Sequence, residues 1–377
     1  MDDEEIRDEG QSETDKLLDL IFDDVSLLYT IVLKTIDNIL KEYFKAFKTK
    51  DTIKQKMLKA GEIDQKTYNE WRKQQMFMGQ RWKDMSSAIS QDLTNAHDIA
   101  KSIVDGYMPD AYAMGVSYGQ YQIDTQLIND FNVQFNANVS YTLYDRDTVE
   151  RILRENPQIL PNLNPLSKTA QAIADGKIQA WEYKQLQSEI LQGILIGESN
   201  DQIADRLQNL TQQDLKAVTR YARTATTAAE NAGRIESYKR AESMGIEMEQ
   251  QWLATLDNRT RHSHRQLDGE RVKVGEVFSN GCRFPGDPEG KPGEIWNCRC
   301  SLISYLTGIP ELEESQDLTN LSNREAEKLN GMSYADWKKG HGVSEPILKA
   351  RQIGEARRKK YIKEYQDAAK RLKDVKI

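Results

Sequence analysis

From Leu18 onward, apolar residues recur at Ile21, Val25, Leu28, Val32, Ile36 and Ile39. Steps of three and four put them on one face of an α-helix, with a heptad-like seam. We read that seam as packed within its own domain rather than on a second chain, since any amphipathic helix against a core shows the same stripe. Thr52 to Tyr121 continues the helical pattern, with Trp71, Phe77, Trp82, Tyr107 and Tyr112 on a buried face, and Gly106 and Pro109 mark a break. The period then shortens to two. Val133, Phe135, Ala137, Val139 and Tyr141 alternate with polar residues, as in a strand or an extended arm. Pro157, Pro161 and Pro165 punctuate a linker.

Past the linker the helical period returns. Ser199 and Gln202 have capping-box spacing, and Thr211 to Asp214 has the composition of a similar start. The helix from Asp214 to Met244 carries Ala222, Ala225, Ala229 and Ala232 on one face, with Gly233 alongside, so another helix can approach closely. Gly245 suits a C-cap. Alternation from Met248 to Leu256, together with Val272, Val274 and Leu302 to Leu306, predicts short strands joined by long polar loops. A tail beginning near Gly308 holds two helical stretches separated by the Gly-rich segment around His341.

The expected fold is therefore mainly α: elongated helical N-terminal and central regions, a small β-rich (α+β) C-terminal module and a helical tail. The expected divisions are a helical region at 1–125, an extended arm and Pro-rich linker at 126–165, a helical domain at 166–247, the β-rich module at 248–308 and a basic helical tail at 309–377.

Charge adds a polarity to this picture. The net charge of -7 argues against a simple electrostatic DNA coat. Residues 1–15 hold eight acids and one arginine, whereas residues 349–376 hold eleven Lys/Arg and four Asp/Glu. In the tail, Arg357, Arg358, Lys359, Lys360 and Lys363 wrap more than one helix face, which suits DNA phosphates or an acidic partner surface, or a solvated helix near the chain's own acidic start. The acidic N-terminus has no basic segment before an apolar run, so no signal peptide is expected. Asp19, Asp23 and Asp24 interrupt the most apolar stretch, so no membrane span is expected. An odd number of cysteines, three, fits a reducing compartment.

All three cysteines and two of the four histidines fall between Trp252 and Tyr305. A Cys-x-Cys on extended backbone puts both thiols on one face. His264, Cys282, Cys298 and Cys300 make the four N/S ligands of a structural zinc site, which would order the Gly/Pro-rich loop between them. The alternative is reduced, packed cysteines. Asp257, Arg259 and Arg261 suit an ion-paired loop that Arg299 can join, or a phosphate-binding cluster.

The same residues carry a resemblance. D-x-R-T-R-x-x-H-x-x-L-D-G, then P-G-D, then N-C-R-C, resembles the C-terminal module of the Mu F-like minor head proteins of tailed bacteriophages. The matching positions include Trp252, Asp257, Arg259, Arg261, His264, Gly269, Asn297, Cys298, Arg299 and Cys300. Residues 221–238 are similar to the helix leading into that module. The resemblance implies a head-morphogenesis protein of the virion or procapsid, assembled in the host cytoplasm and sited inside the capsid. Its implied partners are the portal, head or scaffold proteins and packaged DNA. It supplies no catalytic residues. From a different class, a metal-dependent, nuclease-like DNA-processing enzyme would use His264 and the cysteines. An ADP-ribosyl transferase would want Arg, Ser-Thr-Ser and Glu-x-Glu, of which Glu247-Met248-Glu249 supplies only the last.

Overall fold

The computed structural model describes residues 9–77, 80–136, 146–161, 200–312 and 317–341, with a few isolated positions at 188–198 and 356–363. Among the described residues the chain is mainly α, with two small antiparallel sheets. Three long helices dominate: α1 (Glu9–Lys59), α3 (Gln80–Phe131) and α5 (Asn200–Ser243), with α2 (Gln65–Phe77) after the first turn. Then come β1 (Val133–Phe135), α4 (Arg146–Glu155), β2 (Glu247–Leu253), α6 (His262–Leu267), β3 (Arg271–Lys273), α7 (Pro292–Ile295), β4 (Ser301–Gly308), β5 (Leu318–Asn320), α8 (Asn323–Leu329) and α9 (Tyr334–Gly340).

The chain divides into two compact units, neither continuous in sequence. One comprises Met1–Phe22, Val104–Asn162 and Arg220–Gly354; the other comprises Asp23–Ile103, Leu163–Thr219 and Glu355–Ile377. The second unit is helical, and its core is the stripe read from the sequence: Val25, Leu28, Val32 and Ile36 are all buried. Leu40 completes the stripe in place of the half-buried Ile39. Arg72 is buried there and donates 2.7 Å to the Glu198 carbonyl, while Arg206 pairs with Glu198 at 2.7 Å.

The first unit holds the β-rich module. β2 lies in the middle of a three-stranded antiparallel sheet of order β3-β2-β4, with Trp252 opposite Leu302 and Gln250 between Val272 and Ser304. Burial alternates along β2, so Met248, Gln250 and Trp252 face the core. The core joins these residues to Ile123 and Leu127 of α3 and to Ala228, Tyr238 and Ala241 of α5. The small-residue face of α5 is buried at Ala222, Ala225 and Ala229, whereas Ala232 is half-buried. It meets α3 at backbone distance. A Cβ on Gly233 would stand 2.2 Å from the Tyr112 carbonyl oxygen, and one on Gly115 would stand 1.9 Å from that of Glu230. Glycine is the one residue that permits this approach. Gln126 of α3 ties the sheet down from another side, donating 3.0 Å to the Ser304 carbonyl and accepting 3.0 Å from the Leu306 N–H.

Three sequence expectations change here. The break at Gly106 and Pro109 is absent, because α3 runs through it. Proline inside a helix costs about 3 kcal/mol, and burial of Tyr107, Met108, Ala111 and Tyr112 on both sides offsets it. No second helix starts at Thr211, since α5 is continuous from Asn200. Within 126–165 the described residues hold the end of α3, a strand of three residues, the amphipathic helix α4 with Val149 and Leu153 inward, and a 3-10 turn at Pro157–Ile159. Residues 137–145 and the prolines past 161 lie outside the described residues. β1 pairs antiparallel with β5, with Val133 opposite Asn320. The tail beyond Gly308 continues into α8 and α9, each opened by a serine N-cap, Ser322 and Ser333.

Candidate metal centre and its polar clamp

The extended run from Asn297 to Cys300 organises the site. Asn297 has φ +56°, a left-handed conformation that asparagine tolerates, and it turns the chain out of α7. From there successive side chains point to opposite faces. Cys298 and Cys300 point inward and are buried; Arg299 points outward and grips Asp257 with two 2.7 Å contacts. Asp257 also accepts from the Arg259 N–H at 2.9 Å and the Thr260 hydroxyl at 3.0 Å, so the loop before α6 closes on itself. The Arg299 guanidinium holds the Asp257 carboxyl well below the usual carboxylate range. Arg261 donates to the Trp296 carbonyl, and the exposed Arg259 lies 3.6 Å from Asp257. These arginines are first of all structural partners.

Fixing this loop aims α6. His264 is 2 % exposed, and its ring stands edge-on to Trp252 with centroids 5.4 Å apart. Its Nδ1 faces both inward sulfurs, at 3.4 Å from Cys300 Sγ and 3.7 Å from Cys298 Sγ. Its Nε2, on the opposite side of the ring, lies 3.1 Å from Glu294 Oε2, and Ser263 Oγ donates to that same oxygen at 3.2 Å. Gly269, at φ +81°, ends the turn after α6 and returns its N–H to the Trp252 carbonyl at 2.9 Å.

His264, Cys298 and Cys300 thus form a buried group whose ligand atoms all lie within 4.8 Å of one another. The two thiols are electrically unequal. Cys300 is shifted down because Cys298 donates to it and His264 stands beside it, while burial pushes Cys298 up. The structure does not bring Cys282 into this group. Its sulfur covers Gly290, where an added Cβ would stand 2.5 Å away. Burial, with Asp287 and Glu294 nearby, pushes the Cys282 thiol up to about 12. His262 is exposed. Of the tail residues, Lys359, Lys360 and Lys363 are exposed, and Arg357 and Arg358 lie outside the described residues.

A second set of residues escaped the sequence reading. Along one line of α5, Thr224, Thr227, Asn231 and Arg234 are all buried and all grip the backbone of this site. Thr224 Oγ1 accepts from the Asn297 N–H at 3.0 Å, and Thr227 donates to the Cys298 carbonyl at 2.9 Å. Asn231 donates to the Cys300 carbonyl at 3.3 Å and accepts from the Leu302 N–H at 2.8 Å. Arg234 donates to the Leu302 carbonyl at 2.6 Å and pairs with Glu230 at 2.5 Å. The signal was present as polar residues spaced three and four apart inside an alanine-rich face, a place where solvated side chains do not belong.

The comparisons agree with this frame. Residues 184–303, which span α5, β2, β3, N-C-R-C and the first residues of β4, match the family model "Phage Mu protein F like protein". Minor head protein GP7 of Bacillus phage SPP1 is 26% identical over 343 residues, covering 88% of this chain and 97% of GP7. Residues 184–303 are therefore similar to the Mu F-like family, and the chain as a whole is similar to a phage minor head protein. An NAD(+)--arginine ADP-ribosyltransferase of Enterococcus faecalis is 31% identical over 153 residues, 40% of this chain, and the chain spans only 30% of that enzyme's length. The uncharacterized protein YqbB of Bacillus subtilis is 32% identical over 141 residues, with 45% of its length covered. No solved structure gives a significant match.

Proposed function

We propose that this chain is a phage minor head protein that acts structurally in head morphogenesis, inside the virion, by docking on the portal or a neighbouring head protein. The observation that carries the reading is the near end-to-end similarity to a phage minor head protein. The clamp between α5 and the N-C-R-C run supports it, because its polar groups are spent on holding backbone rather than left open to a substrate. No helix among the described residues is long and apolar enough to cross a membrane. The catalytic alternative gains nothing from the geometry. His264 and both inward thiols are buried, so a phosphodiester does not reach them. Glu247 and Glu249 flank a core-facing methionine on β2, and the transferase activity named for the Enterococcus protein belongs to a chain of which most has no counterpart here.

The His/Cys/Cys group is proposed to hold a structural zinc. Nitrogen and sulfur ligands about 2.0 and 2.3 Å from one tetrahedral zinc stand about 3.5 Å apart, and the Nδ1–sulfur distances are 3.4 and 3.7 Å. Contact with packaged DNA through the basic tail is proposed on charge alone. The docking role is tested by a pull-down of the tagged full-length protein from an infected lysate, with the portal protein as the named candidate. Recovery of the portal or a head protein in stoichiometric yield is expected; recovery of neither overturns the role.

A further inference from the structure

The zinc reading leaves open which atoms complete the site and what holds the histidine in place. We infer that the metal is held by two thiolates and one imidazole of this chain, with Glu294 as the positioning residue behind the imidazole and Cys282 outside the coordination sphere.

The two ring nitrogens of His264 settle the division of labour. Nδ1 is turned to the sulfurs of Cys298 and Cys300, so a metal at that corner binds Nδ1. Nε2 then carries the ring proton and faces Glu294 Oε2 at 3.1 Å. Glu294 cannot ligate the same ion, because it lies beyond the far side of the ring. A carboxylate behind a metal-bound histidine fixes the tautomer, orients the ring and raises its basicity. The approach is not yet aligned as a hydrogen bond, since His264 Nε2 has no partner of good geometry. The positioning role therefore requires a small rotation of the Glu294 side chain, which is 21 % exposed. Ser263, the residue before the histidine on α6, holds the same carboxylate. The chain thus places a ligand and the anchor of its second-row carboxylate side by side in sequence.

Cys282 has a different occupation. It is buried in the same apolar core as the two inward cysteines, its sulfur closes the space above Gly290, and it is not among the residues whose ligand atoms lie within 4.8 Å of one another. Its expected membership of a four-residue ligand set rested on the ligand count and on its place in the same Gly/Pro-rich window. The metal is left one coordination position for a donor that is not a cysteine of this chain.

The inference rests on the zinc reading, and the experiment separates the two. Full-length wild type, Cys282→Ala, Glu294→Ala and Glu294→Gln are titrated with Zn(II) against a chromophoric chelator. Each is also loaded with Co(II), whose thiolate charge-transfer intensity counts bound sulfurs. Wild type and Cys282→Ala are expected to bind one metal with the same two-thiolate intensity. Glu294→Ala is expected to bind about 10–100-fold more weakly. Glu294→Gln should recover much of that loss, since its amide oxygen still accepts from Nε2. A three-thiolate intensity in wild type that falls in Cys282→Ala overturns the ligand assignment. Wild-type affinity in Glu294→Ala, or no rescue by glutamine, overturns the positioning role. Absence of zinc binding in wild type removes the zinc reading itself, and both assignments with it.

Discussion

Replacing Asn231 by leucine tests the clamp with little change in volume. Asn231 is fully buried, and its amide serves both sides of the site. Nδ2 donates to the carbonyls of Thr227 (2.9 Å), Pro285 (3.3 Å) and Cys300 (3.3 Å), and Oδ1 accepts from the Leu302 N–H (2.8 Å). Thr227 lies within α5 and keeps its helical bond, so its loss is small. The Leu302 N–H, at the start of β4, loses its acceptor in a place water does not reach. A buried group left unsatisfied costs about 1–3 kcal/mol, and an ordinary hydrogen bond contributes about 1 kcal/mol. With the two long carbonyl contacts added, Asn231→Leu should destabilise the protein by about 2–5 kcal/mol. Chemical unfolding measures this directly, with Lys239→Ala, an exposed change on the same helix, as the control expected to stay within about 0.5 kcal/mol. Amide exchange at Leu302 should accelerate more than at Met248 on the neighbouring strand. An unfolding midpoint equal to that of wild type would refute the argument that these polar groups hold the site.

Ala225→Leu should overpack the buried face of α5 and cost about 1–3 kcal/mol, read as a lower melting temperature; an unchanged value would count against close packing there. Asp124 accepts 2.7 Å from Trp337 Nε1, and burial raises its carboxyl to about 6, with Gln120, Trp337 and His341 opposing the shift. Because the folded value exceeds the unfolded one of 3.8, the stability it contributes is complete below about pH 4 and is lost as pH rises through about 6. Asp124→Asn, which keeps the acceptor, should therefore gain stability relative to wild type across that window, and parallel pH profiles for the two proteins would exclude the effect. For the basic tail, a chain ending at Glu345 should bind duplex DNA more weakly than the full chain and with a shallower salt dependence; equal affinity and slope would remove DNA as the tail's partner.

The parts of the site that were legible in the sequence are those whose chemistry shows locally. Trp252, His264 and the Cys-x-Cys pair stand close together in the chain, and alternation alone predicts that Arg299 faces away from the two thiols. The Asp257–Arg299 pair follows from a loop rich in both charges. The clamp was not legible, because Thr227 and Cys298 are 71 residues apart and only the folded packing of α5 on β4 makes them neighbours. Gln126 is further still from its partner, 178 residues from Ser304. Pro109 misled for a related reason: its local cost is fixed, while the burial that offsets it is decided elsewhere in the chain. Cys282 shares composition with the ligands but lies outside the group whose ligand atoms come within 4.8 Å of one another, and spacing across a glycine-rich loop carries no direction.

The interleaving of the units bears on when this protein becomes competent. The module-bearing unit takes residues from the first 22 of the chain and from as far as 354. Lys338 on α9 pairs with Glu13, and β1 waits for β5, which follows it by more than 180 residues. Such distant pairings fold slowly and cannot begin before the later partner exists. On the ribosome, Glu13 must therefore wait for Lys338, and β1 for β5, until late in synthesis. A chain cut short before β5 would lack the strand that covers β1. An assembling particle that recognises the finished unit would thereby reject incomplete chains without a separate inspection step.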